Sequence, residues 1–218
     1  MHQRTTGLCM QTLFRKSFSV IFAIFAMLQA AHASSDDALA TVSKATDSII
    51  SELTKLDPEA RTQDKVESLV LAYIVPAIDE QKIAMGVLGK YWRQATPDQR
   101  TQFIARFREQ QIRTYTGAFK AFSGEKLVFE KAVLSPDGDK AIVKGQFQQS
   151  NGNQVPVDFR LYYNKDDSKW LIYDAVISGL SMVKTYRTQL SERLQNVNMD
   201  DLLKELANEQ AAPQQAQR

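Results

Sequence analysis

The chain has 218 residues, 24% of them charged and 44% hydrophobic, with a formal net charge of +2, one cysteine and two histidines. That length can bury one sizeable core, and so small a net charge gives no bulk electrostatic case for nucleic acid. What else is excluded depends on where the few reactive side chains sit.

They sit at the start. Arg4, Arg15 and Lys16 make a basic opening without acidic residues, Phe18 to Leu28 is an apolar run, and Ala31-His32-Ala33 is an A-x-A site. This reads as a secretory signal peptide cut after Ala33. The alternative, a membrane anchor, is disfavoured because the run is too short to span a bilayer. Cys9 precedes the run and is not placed as a lipoprotein acceptor. His2, His32 and Cys9 leave with the leader, and so do three basic residues. The rest, Ser34 to Arg218, carries a net charge of −1 and neither His nor Cys. Triads built on histidine, His or Cys metal sites and disulfides are thereby excluded.

The first helix is expected from Asp36 or Asp37, as its cap, to about Leu56, with Leu39, Val42, Ile49, Ile50 and Leu53 on its apolar stripe. A second runs from about Asp64 to Ile74 and stops before Pro76. Ile78 to Trp92 is an unusually apolar helical piece in which Gly86 and Gly89 permit close approach or a bend. Thr96-Pro97-Asp98-Gln99 is a strong helix start with capping-box spacing. The helix it opens reaches about Phe122, with Phe103, Ile104, Phe107, Tyr115, Phe119 and Phe122 on one broad face.

The period then switches to two. Four strands are expected, at 126–134, 140–148, 154–163 and 169–178, joined by short turn sequences and therefore antiparallel in a meander. Ser178-Gly179 reads as a joint into a helix over 180–194, and a last helix starts after Asn198. The tail from Gln210 reads as disordered. Helices, a contiguous sheet, then helices describe an α+β domain over 34–209, with helices on one side of a curved four-stranded sheet.

The strand at 169–178 is apolar on both faces, with Trp170, Ile172 and Val176 against Leu171, Tyr173, Ala175 and Ile177. It must be covered on both sides or curl around something, and the pattern does not say which face turns inward. Asp174, in its middle, reads either as a structural carboxylate or as a general base with Tyr163 or Tyr173 as proton donor. Lys184 and Arg187 read as a solvated helix face, or as a contact for an anionic headgroup or an acidic partner.

Lys90-Tyr91-Trp92-Arg93-Gln94-Ala95-Thr96-Pro97-Asp98-Gln99-Arg100, Phe107-Arg108, Trp170 with Tyr173-Asp174, and Gly179-Leu180-Ser181-Met182-Val183 with Tyr186-Arg187 resemble the MlaC family. This is a family of periplasmic phospholipid-binding proteins, also described as toluene-tolerance auxiliary proteins. The resemblance runs from about Ala38 to Leu206. It implies a nuclear-transport-factor-like curved sheet packed with a helical subdomain around an apolar pocket that holds acyl chains and leaves the headgroup outside. It implies a monomeric lipid carrier, not an enzyme, with no cofactor and no metal. Its expected partners are an inner-membrane ABC transporter with an MCE-domain protein and an outer-membrane lipoprotein–porin complex. The expected cellular role is to maintain outer-membrane lipid asymmetry.

Carried over by position, Tyr115 and Leu180 line or gate the pocket. One departure is Tyr115-Thr116-Gly117, where some members place glycine directly after the tyrosine. The helices supply the other wall candidates Met85, Leu88, Trp92, Phe103, Phe107 and Phe119. The sheet supplies Phe147, Phe159, Leu161, Tyr163, Ile172 and Val176, and the closing helix Met182 and Val183. Two other readings stay open: an exported isomerase or dehydratase working on an apolar substrate through Asp174, and a scaffold with a filled core.

Overall fold

A computed structural model describes residues 34–211. The expected leader, the expected tail beyond Ala211 and the side chain of Tyr115 lie outside the described residues. Ser34, rather than Asp36 or Asp37, caps helix α1 (Ser35–Thr54), accepting from the Asp37 N–H at 3.1 Å. The two aspartates fall in the first turn, where the helix dipole favours negative charge. Ala38, Val42, Ala45, Ile49 and Leu53 recur at helical spacing and are all buried. The two alanines let α1 lie close against the inner face of the sheet.

Helix α2 (Gln63–Leu69) does not stop before Pro76. It widens into a π-turn, Val70–Ile74, and tightens into a 3₁₀ turn, Val75–Ala77. Val75 keeps helical angles although proline follows it. The next apolar piece is two helices, α3 (Glu80–Leu88) and α4 (Lys90–Gln94), parted at Gly89 with φ +55°. Helix α5 (Pro97–Lys120) opens with the expected capping box. Its far end is held by Arg61, only 6% exposed. The Arg61 guanidinium donates to the carbonyls of Phe122 at 2.5 Å and Leu56 at 3.0 Å, with that of Lys120 at 3.4 Å. A cation there complements the negative end of the helix.

Strands β1 (Lys126–Leu134), β2 (Lys140–Gln148), β3 (Gln154–Asn164) and β4 (Lys169–Ile177) form the expected antiparallel meander. A fifth strand, β5 (Leu180–Ser181), stands where the sequence reads as helix and pairs back onto β4. Ser178 and Gly179 have φ of 49° and 82°. Two successive positive values make the two-residue hairpin turn that matches strand twist. The strand-to-helix joint is therefore a hairpin, and α6 (Met182–Arg193) starts just beyond it with Ser181 as cap. Helix α7 (Met199–Ala211) packs on α5.

Two bulges bend the sheet. The register passes over Glu130 in β1 and Tyr173 in β4. An extra residue reverses the alternation of side chains beyond it. Ile172 shares a face with Leu161; past the bulge, Ala175 and Ile177 share that same face with Phe159 and Val157. A strand that reads as apolar on both faces is thus one inner face that changes phase midway. Val176, expected on the pocket side, is carried to the outer face opposite Asp158.

Three apolar clusters result. One joins α3, α4, α5, α6 and α7 around Phe103 and Leu206. A second joins α1 to the sheet around Val143 and Leu161, with Phe129 laid over Gly145. A third joins the end of α1 to α2, the π-turn and the end of α5.

Candidate functional site

Where these clusters meet, packing is incomplete. A cavity of about 320 Å³ lies between β3–β4 and the helices. Ala45 and Thr46 of α1 line it, and Phe159, Ile172, Ala175 and Ile177 form its sheet wall. Ile83 and Val87 of α3, Phe107 of α5, and Met182, Val183 and Tyr186 of α6 complete it. Phe107 is fixed by rings on both sides, stacked on Phe103 at 5.5 Å and edge-on to Tyr186 at 5.3 Å. A smaller cavity of about 170 Å³ adjoins it, between the π-turn, α3 and α5. Ile74, Ile78, Ile83, Phe107 and Gln111 line both.

Two polar devices hold the walls. The first is Asp79, which caps α3 by accepting from Lys82 N–H at 2.8 Å and also accepts from the Tyr162 hydroxyl. Its own N–H donates to the Ile172 carbonyl at 2.9 Å. Helix α3 is thereby pinned to β3 and β4, with Ile83 and Val87 facing the sheet. The Lys82 ammonium sits 3.6 Å from the Tyr162 ring centroid. Burial, and then the Asp79 carboxylate, push the Tyr162 phenol up to about 12.

The second device is Asp174, 5% exposed. One oxygen accepts from Ser181 Oγ at 2.7 Å and Arg160 Nη1 at 3.0 Å, the other from Val183 N–H at 3.1 Å. This carboxylate binds the start of α6 to β4 and so sets Met182 and Val183 against the cavity. It touches the cavity wall, but both oxygens are occupied by donors. Tyr163 instead packs on Trp170 and Tyr173 on Tyr162, and neither lines the cavity. The acid–base pairing considered from sequence is not assembled. Among the described residues, no His, Cys, Asp or Glu group is placed to hold a metal ion.

Of the residues expected at the wall, Phe107, Phe159, Ile172, Met182 and Val183 line the main cavity. Leu88, Trp92 and Phe103 are spent inside the helical core, and Phe119 packs beside Leu53 and Leu69. Leu161 and Tyr163 belong to the cluster under α1. Phe147 stands at the far end of β2 opposite Val155, off the cavity, and Met85 is 43% exposed on α3. Leu180 is not in the wall. It is 67% exposed, because the hairpin turn sets it opposite Ile177 at the open end of the sheet. Arg187 Nε donates to the Gly86 carbonyl at 2.5 Å, tying α6 to α3, while Lys184 is exposed.

The expected wall also omits Ile78, Ile83, Val87, Ile177 and Tyr186, apolar residues that line the cavity, while two kinds of missed residue give no local sign. Ala45, Thr46 and Gln111 are small or polar and carry no apolar signal. Ile74 and Ala175 are placed by a π-turn and a bulge, which no local pattern announces.

A family model described as MlaC protein matches residues 43–208. The toluene tolerance protein ttg2D of Pseudomonas putida is 27% identical over 145 residues, covering 65% of this chain and 66% of that one. The intermembrane phospholipid transport system binding protein MlaC of Haemophilus influenzae is 23% identical over 120 residues, covering 55% and 56%. The chain thus spans about two thirds or less of these relatives' length. Among solved structures, the phospholipid-binding protein from Ralstonia solanacearum, determined in complex with a phospholipid, superposes with a TM-score of 0.74 at 29% identity. That match covers 80% of this chain and 97% of that one. Matched by the family model across nearly all of its described length and built on the same fold as this solved structure, the chain belongs to the MlaC family.

Proposed function

We propose that this protein is a phospholipid carrier that holds acyl chains in the cavity between sheet and helices. The supporting observation is that cavity: apolar, bounded by α1, the π-turn, α3, α5, α6 and strands β3 and β4, with a smaller apolar cavity adjoining it. Its volume is in the range of small-molecule sites. Each buried methylene is worth ~0.8 kcal/mol, so a diacyl lipid with roughly 30 of them resists leaving a membrane by more than ~20 kcal/mol. A carrier needs only a dry wall to offset that. The two relatives' names, one of them a phospholipid transport component, and the phospholipid-bound solved relative point the same way.

On this reading the protein works in the periplasm as one lipid-binding domain over 34–209. It exchanges lipid between an inner-membrane ABC transporter with an MCE-domain protein and an outer-membrane lipoprotein–porin complex, and so maintains outer-membrane lipid asymmetry. Native mass spectrometry of purified protein, before and after delipidation and exposure to phospholipid vesicles, tests it. Bound phospholipid is expected; protein that stays empty in every sample refutes it. The anchoring of α6 by Asp174 supports the carrier reading over the isomerase reading.

A further inference from the structure

The two cavities share a wall, and one member of that wall is polar. Gln111 lines both, and its Nε2 is buried without a hydrogen-bond partner. Native interiors seldom leave a buried donor unpaired, because desolvation is not offset. The neighbouring Arg108 lines the smaller cavity only; its Nη1 is engaged by Glu80 at 3.1 Å, while its Nε is likewise buried without a partner. Around Gln111 the shared wall is Ile74, Ile78, Ile83 and Phe107, none of which offers a side-chain acceptor. A donor at a partition between two apolar compartments suits a ligand with two hydrocarbon chains and an acceptor where they diverge. In a diacyl glycerolipid the ester carbonyls stand at that point.

We propose that Gln111 is the polar contact for this linkage: its side-chain N–H donates to an ester carbonyl oxygen of a diacyl lipid, with one chain in each cavity. The inference rests on the carrier reading above. It gives the site a preference for the chain linkage, independent of headgroup.

The test is a competition between a diester phospholipid and its diether counterpart with the same chains and headgroup, offered together to delipidated protein and read by native mass spectrometry. Wild type is expected to retain the diester about tenfold over the diether, the worth of one well-made buried hydrogen bond. Gln111→Met, of similar length, is expected to bind both lipids with a ratio near one. A wild-type ratio near one overturns the proposal even if no variant folds. An unchanged ratio in Gln111→Met also overturns it. If wild type takes up neither lipid, the carrier reading falls and this proposal with it. Tight binding without linkage preference removes the Gln111 role alone.

Discussion

Asp174 carries a sharp prediction, because its two candidate roles differ in what its removal does. Asp174→Ala deletes an acceptor for Ser181 Oγ, Val183 N–H and Arg160. The first two bonds are made to a charged acceptor out of water, each worth about 1.5 kcal/mol or more. The Arg160 side chain is 36% exposed and can turn to solvent, so its loss adds about 0–1 kcal/mol. The total is about 3–4 kcal/mol. In a domain of this size that lowers Tm by roughly 10 °C. Asp174→Asn keeps the shape and one acceptor oxygen and is expected to cost about half as much. Thermal denaturation followed by circular dichroism measures both, with bound lipid measured on the same samples by mass spectrometry. The Asn variant should fold and keep its lipid. A loss below about 1 kcal/mol in the Ala variant refutes the anchoring argument.

Arg61→Ala removes the guanidinium from the carbonyls at the end of α5 and is expected to cost about 2–4 kcal/mol in urea denaturation. Arg61→Lys should not restore it, because an ammonium lacks the planar fork that reaches several carbonyls; full rescue by lysine would contradict this. Tyr162 is raised from 10.0 to about 12 by burial and then by Asp79. Its contribution to stability is whole below about pH 10 and is lost as pH climbs through about 12. A late step in the phenolate absorbance titration should vanish in Tyr162→Phe, and a titration without that step refutes the pairing. Gly86→Ala would place a Cβ 2.7 Å from Val183 Cγ1. Although alanine normally favours a helix, a net loss of about 1–3 kcal/mol is expected here; a stabilised variant would show that α3 and α6 are not in firm contact.

Much of the architecture was legible locally. The change of period at Lys126, the capping box at Thr96–Gln99 and the turn sequences between strands each depend on residues within a few positions of one another. Element order, the antiparallel meander and the helical flanks followed from them. The site was less legible. Aromatic residues on α5 read as one stripe, yet along the helix Phe103 fills the helical core, Phe107 faces the cavity and Phe119 seals a third cluster. One stripe meets three different neighbours, which helical spacing alone cannot separate. Leu180 is placed at the pocket by its position in the family resemblance; a two-residue turn with two positive φ values turns it to the rim.

The sequence by itself determined which chemistry was available: outside the expected leader it has no histidine or cysteine, and its alternating strands and apolar helices were set to enclose one interior. Only the tertiary structure decided where that interior stays open. The bulge at Tyr173 sets the phase of β4 through its pairing with β3. The π-turn aims Ile74, and Asp79 and Asp174 fix how far α3 and α6 stand from the sheet. Register and stand-off are agreements between segments far apart in the chain, so no single stretch contains them.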